Sequence, residues 1–272
     1  MTTVVSPTRG VGELLRVWRV RRRRSQMDLA LGAEVSARHL SFVETGRSRP
    51  SRELLLHLAE HLDVPLRERN TLLLAAGYAP LYPERTLDDD AMAPVREALD
   101  KVLAGHRPFP AVVVDRHWNL VSANDAALGL LGAGVSPELL APPANALRAT
   151  LHPEGLAPRI ANLAEYSAHL LHRLHQQAVM TQDDDLTALH EELRGYPGVE
   201  ETSPAVFRPE ALVFTTLRLR PAPGMDHPEL AFFSTLATFG TALDVTVAEM
   251  AIESFFPADP TTEQALRAQL AT

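Results

Sequence analysis

The apolar positions of this chain follow two different rhythms. Over the first 80 or so residues they recur at helical spacing in short runs, each closed by a polar cap or a glycine. Leu14, Leu15 and Trp18 form the inner face of a helix over 12–24. Leu55, Leu58, Ala59 and Leu62 do the same over 51–62, and Leu72, Leu73 and Leu74 mark a helix over 66–76 that stops at Gly77. From Phe109 onward the rhythm changes. An apolar run over 110–115 and a second over 120–124 read as strands, with His117 and Asn119 bracketing Trp118 at a turn, and a helix over 125–131 follows. Helices are predicted over 145–151, 157–179 and 186–193, strands over 211–219, 230–239 and 246–256, and a terminal helix over 261–270. The pattern predicts a helical domain at 10–80, a linker and connecting helix at 81–104, an α/β domain at 105–260 and a C-terminal helix at 261–272.

Between the first two strong helices lies SQMDLALGAEVSARHLSFVETG, residues 25–46, which reads as two short helices joined by a tight turn. Ser25 and Asp28 have the spacing of a capping box, Ser36 is a second N-cap, and Gly46 suits a left-handed terminating residue. In the second helix Leu40 and Val43 point inward, which leaves Ala37, Arg38, Ser41 and Phe42 outward. Such a pair fits the helix-turn-helix, whose second helix enters the DNA major groove. Gln26, Leu29, Ala30, Val35, Ser36, Leu40, Ser41, Val43, Glu44, Gly46 and Arg47 fall where the Cro/C1-type (XRE-like) family places its motif, and residues 10–80 resemble that family. The resemblance implies a five-helix, lambda-repressor-like domain. It departs at the turn, where the family often has Gly and this chain has Glu34, with Gly32 two residues earlier.

The stretch VVVDRHWNLVSANDAA resembles the opening of a PAS-type sensor domain, with Asn124 ending the second strand and starting a helix. NALRATLHPEGLAPRIANLAEYSAHLLHRL and the tail IESFFPADPTTEQALRAQL resemble the ligand-binding domain of MmyB-like transcription regulators. The fold expected is therefore multidomain α and α/β, a helix-turn-helix domain followed by a PAS-like domain. The resemblance implies a small lipophilic effector, with a fatty acid the leading example.

Charge sharpens the division. The net charge of −8 is unusual for a DNA-binding protein, but residues 1–80 carry 13 Arg against 8 Asp and Glu, and the remainder carries 13 Lys and Arg against 26 Asp and Glu. The positive field is confined to the part expected to meet DNA. Cysteine is absent, which excludes disulfides, thiolate metal sites and a cysteine nucleophile. No apolar run reaches the roughly 18–20 residues of a membrane span and no apolar signal core opens the chain, so no membrane insertion and a cytoplasmic location are expected.

The residues expected to contact DNA follow from these faces. Arg22 and Arg23 close the first helix and suit phosphate contact, as do Arg47 and Arg49 in the loop TGRSRP; the alternative for each is an ordinary solvated charge. Gln26 is placed by the resemblance against the DNA backbone. Ser36, Ala37, Arg38, Ser41 and Phe42 form the outward face of the second helix. Arg38 is the base reader, since Arg pairs bidentately with guanine, and Phe42 either touches a thymine methyl or belongs to the core. Glu44, acidic close to the DNA, is read as a helix-internal partner of an Arg and not as a base contact. The operator is double-stranded, and a homodimer is expected to read two half-sites.

In the second domain an anionic head would favour an Arg or His at the pocket mouth. Arg148, His152 and Arg159 are candidates there, with Tyr166 and Trp118 as walls; each could instead be core or surface. His152, His169, His172 and His175 invite a metal reading, but the last three are spread round their helix, and no metal or other cofactor is expected. The chain shows no phosphate-cradling glycine loop, nucleophile elbow or triad, so it is read as a regulator and not an enzyme. The alternative is a C-terminal domain that serves only dimerisation or a protein partner.

Overall fold

The computed structural model describes residues 10–199, 215–225 and 227–269. In chain order the elements are α1 (Val11–Arg21), α2 (Gln26–Gly32), α3 (Ala37–Glu44), α4 (Arg52–His61), α5 (Leu66–Ala75), α6 (Ala93–Gly105), β1 (Ala111–Val114), β2 (Leu120–Ala123), α7 (Asp125–Gly132), α8 (Pro137–Leu140) and α9 (Ala146–Leu151). There follow α10 (Leu163–Thr181), α11 (Asp184–Arg194), β3 (Leu217–Leu219), β4 (Leu230–Thr238), α12 (Val245–Ala248), β5 (Ala251–Pro257) and α13 (Pro260–Gln269). They group into two compact units: Met1–Thr86 with Thr241–Ala248, and Leu87–Gly240 with Glu249–Thr272.

In the first unit local chemistry sets where each helix begins. The Asp28 amide donates to Ser25 Oγ at 3.0 Å and the Ser25 amide donates to Asp28 Oδ2 at 2.9 Å, the reciprocal capping box. Ser36 and Ser51 cap α3 and α4 with one bond each, their Oγ accepting from the His39 and Leu54 amides. Leu15, Leu29, Leu40, Val43, Leu58, Leu62 and Leu73 are fully or almost fully buried at the centre. A Cβ on Gly12 would collide with the Val43 and Glu44 carbonyls, so α1 crosses the end of α3 at backbone distance. The α2–α3 turn is made by Glu34 at φ +52° while Gly32 remains within α2, so the left-handed position carries a side chain. That conformation costs a non-glycine residue about 1 kcal/mol, and Glu34→Gly is expected to raise the unit's stability by about 0.5–1 kcal/mol. A fall in the denaturation midpoint would show that the Glu34 side chain contributes something that the backbone accounting misses.

The second unit is built on one five-stranded antiparallel sheet in the order β2-β1-β5-β4-β3. Its core is formed where Val112, Leu217, Leu219, Leu230 and Phe232 of the sheet meet Leu147, Leu151, Leu170 and Leu174 of α9 and α10. The β1–β2 turn is organised by Asp115, whose carboxylate accepts from the His117 and Asn119 amides, with Trp118 between them at φ +67°. The Asn145 side chain caps α9 and donates to the His117 carbonyl.

Three sequence expectations are corrected. The helix over 157–179 is broken: a 3-10 turn at Ala157–Arg159 precedes α10, because Ile160 bridges Leu219 and the Ala161 amide donates to the Arg218 carbonyl, pulling this segment into sheet pairing. The strand over 246–256 is divided into α12 and β5, with Asp244 Oδ1 accepting from the Thr246 amide at the start of α12. The first helix ends at Arg21 and not Arg24, since Arg23 turns left-handed at φ +52°. Most of the strand expected over 211–219 lies outside the described residues; the described part is β3.

Candidate functional sites

The outer surface of α3 exposes Ser36, Arg38 and His39, with Ala37, Ser41 and Phe42 half-buried. Phe42 lies under two cations, with the Arg38 guanidinium 5.4 Å and that of Arg47 6.0 Å from its ring centroid. The ring thus forms a platform beneath two arginines that remain on the surface, and Arg23 is also exposed.

Other predicted contacts have intramolecular work. Arg22 donates from Nε to the Leu62 carbonyl and from Nη2 to the Asp63 carbonyl, both at 2.7 Å, closing the C-terminus of α4. Arg49 donates twice to the Ala76 carbonyl, beside the end of α5. Gln26 donates to Glu44 Oε2 at 2.7 Å. Glu44 is the partner of an arginine, but not one in its own helix as expected: Arg19 of α1 grips it through Nε at 2.6 Å and Nη2 at 2.8 Å, and both residues are buried. This fork orients the outer face of α3 by tying its last turn to α1 and to the start of α2. The i to i+25 spacing of Arg19 and Glu44 left no sequence signal.

The second unit contains an apolar cavity between the sheet and helices α7, α9 and α10. Val112, Leu120 and Phe232 line it from the sheet, Ala127 and Leu147 from the helices, and Tyr166 and Leu170 from α10. The cavity has a volume of about 70 Å³. Its charged wall is a carboxylate. Glu253, on β5, is buried, accepts from Ser234 Oγ at 2.9 Å and faces the Arg173 guanidinium at 3.4 Å. Arg173 in turn lies 4.3 Å from the Trp118 ring centroid. Burial first, and the neighbouring Glu253 charge second, push the Tyr166 phenol well above its ordinary value, so it stays a neutral hydroxyl. Glu253 and Arg173 were missed; the available signal was a lone acid inside the apolar strand AIESFF.

The predicted ligand residues are not all brought together. Tyr166 lines this cavity, and Arg159 lines a second one beside it. Trp118 is buried with Nε1 donating to Gln177. Arg148 is engaged bidentately by Glu192, and the His152 ring meets Tyr196 edge-on at 5.0 Å. Among the described residues, His117, Asp183 and Asp185 lie close enough to share a cation, but the Arg116 guanidinium already sits 2.6 Å from Asp183.

A capped helix-turn-helix joined in one chain to an α/β unit with an apolar cavity defines a DNA-binding regulator with a sensory domain. The comparisons agree: residues 95–268 match the family described as MmyB-like transcription regulator ligand binding domain, and residues 11–72 match a helix-turn-helix domain. The chain belongs to the MmyB-like transcription regulators. No curated protein matches it. Among solved structures it is similar to one titled "Structure of an RNA-binding Light-Oxygen-Voltage Receptor", at 16% identity and a TM-score of 0.29, over 97% of this chain and 64% of that one. Among the described residues no helix is long and apolar enough to cross a membrane.

Proposed function

We propose that the protein is a cytoplasmic XRE-type regulator that binds a double-stranded operator as a homodimer and takes a small lipophilic effector, a fatty acid or similar amphiphile, in the apolar cavity of its PAS-like domain. The observation that carries the effector reading is the cavity itself: aliphatic side chains line it from sheet and helices, in the manner of pockets that bury apolar ligands. Arg38 reads a base, Phe42 supports it, and the exposed Arg23 and Arg47 meet phosphates. Arg22, Gln26 and Arg49 act chiefly by shaping the surface that carries them. The effector changes operator affinity only to the extent that it binds one state of the protein better than the other.

Native mass spectrometry of the purified protein, followed by denaturing extraction, tests the effector reading. A co-purifying lipid, or uptake of added dodecanol or dodecanoate, is the expected result. An unchanged apo mass in both cases would favour the reading in which the domain serves dimerisation or a protein partner, a reading that the small cavity volume, about 70 Å³, supports. On the DNA side, Arg38→Ala is expected to weaken operator binding by about 1–3 kcal/mol with a much smaller effect on random DNA. Equal losses on both would make Arg38 a phosphate contact.

A further inference from the structure

A second cavity of the same unit is chemically unlike the first. Its volume is about 350 Å³, and its wall includes Arg107, Asp125, Gly129, Leu130 and Arg159. Leu130 also lines the apolar cavity, so one side chain borders both.

Arg159 gives the second cavity its character. It is only 7% exposed. Its Nε donates to the Arg220 carbonyl at 3.1 Å and its Nη1 to the carbonyls of Ala133 at 2.7 Å and Leu130 at 3.4 Å. These three bonds use three of the five guanidinium donors. Nη2, with the other two, is buried and has no hydrogen-bond partner among the described residues. Among the described residues no carboxylate neutralises the cation either: the acid on the same wall, Asp125, is held by Arg107 at 2.7 Å. Burial without a compensating charge lowers the pKa of Arg159 from the ordinary arginine value. A purely structural clamp would be served by the three carbonyls; a buried cation with a spare two-proton edge is costly unless something anionic meets it.

We infer that the Arg159 cavity is an oxyanion site, taking a carboxylate or phosphate group against Arg159 with Arg107 at its rim. The anion is either the head of an amphiphile whose tail passes Leu130 into the apolar cavity or an independent small anion. The first source rests on the effector reading above, and the second does not.

The test is calorimetric titration of the full chain with dodecanoate, dodecanol and inorganic phosphate, repeated on Arg159→Met and Gly129→Leu. A Cβ at Gly129 meets nothing within 4 Å, so the leucine is accommodated at the backbone and narrows the cavity while leaving the Arg159 side chain in place, and this variant stands in if Arg159→Met fails to fold. Both variants are expected to weaken oxyanion binding at least about tenfold, the loss of a charged hydrogen-bonded contact, and to leave dodecanol unchanged. Loss confined to dodecanoate assigns the site to an amphiphile head; loss of phosphate binding assigns it to an independent anion. Phosphate bound while both dodecyl probes fail would sink the lipophilic effector and keep this site. Wild-type protein that binds neither oxyanion, or folded variants that bind them as tightly as wild type, would overturn it.

Discussion

Glu44→Ala is expected to destabilise the helix-turn-helix unit by about 3–5 kcal/mol, the range found when one partner of a buried ion pair is removed. Glu44 accepts three charged or polar bonds in a site from which water is nearly excluded: its side chain is 1% exposed and that of Arg19 10%. Truncation leaves the Arg19 Nε and Nη2 donors and the Gln26 amide facing a void, and only the Arg19 Nη1 bond to the Arg24 carbonyl survives. The hydrogen bond from Arg19 to Glu44 is the largest influence raising the Arg19 pKa; without it a guanidinium, whose intrinsic pKa lies far above neutral, still keeps its proton, so the variant strands a full buried cation. Whole domains are stable by about 5–15 kcal/mol, so much of the margin would go. Denaturant unfolding followed through Trp18 fluorescence would measure the loss, and operator affinity should fall with it because α3 is no longer tied to α1. A loss below about 1 kcal/mol would mean that the fork is compensated by water or by relaxation of α1, and that it is not what orients the recognition surface.

The sequence carried the parts of this architecture that depend on neighbours in the chain. Ser25, Asp28, Ser36 and Ser51 act as caps because capping needs only three or four consecutive residues, and the leucines of α4 and α5 repeat at helical spacing. What was not legible is what depends on distant partners. Arg22 reads as a free cation until α4 ends beside it, and Ile160 reads as helical until β3 pairs with it. Similarly, Arg148 and Arg159 are equivalent as sequence candidates. The fold gives Arg148 the Glu192 carboxylate and leaves Arg159 with backbone carbonyls and an unpaired edge. The charge split between the two parts was legible, since it needs only counting, whereas the burial of Glu253 depends on β5 lying between β1 and β4.

The second large effect is expected at Asn124, which is 3% exposed and uses all four hydrogen-bonding positions of its amide. Oδ1 accepts from the amides of Ala111 at 3.1 Å and Ala127 at 3.0 Å, and Nδ2 donates to the carbonyls of Phe109 at 2.8 Å and Leu103 at 3.3 Å. One side chain thereby fastens the end of α6, the start of β1 and the first turn of α7. Leucine has the same branched arrangement of side-chain heavy atoms and none of these partners, so Asn124→Leu leaves two amides and the Phe109 carbonyl unpaired in the interior, while the Leu103 carbonyl keeps its bond from the His106 amide. At about 1–3 kcal/mol for each stranded group, with partial relief by relaxation, the expected loss is about 4 kcal/mol, or about 10 °C in the melting temperature of a unit this size. Hydrogen exchange gives the specific readout: protection should fall first at the Ala111 and Ala127 amides. Because α7 supplies Ala127, Leu130 and Leu131 to the apolar cavity and Gly129 to the cavity of Arg159, both dodecanol and oxyanion binding should weaken together in this variant. Selective loss of one ligand with intact protection at both amides would show that Asn124 is not the anchor of α7. A fully stable variant would place the anchoring in the packing of Ala127 against the sheet instead.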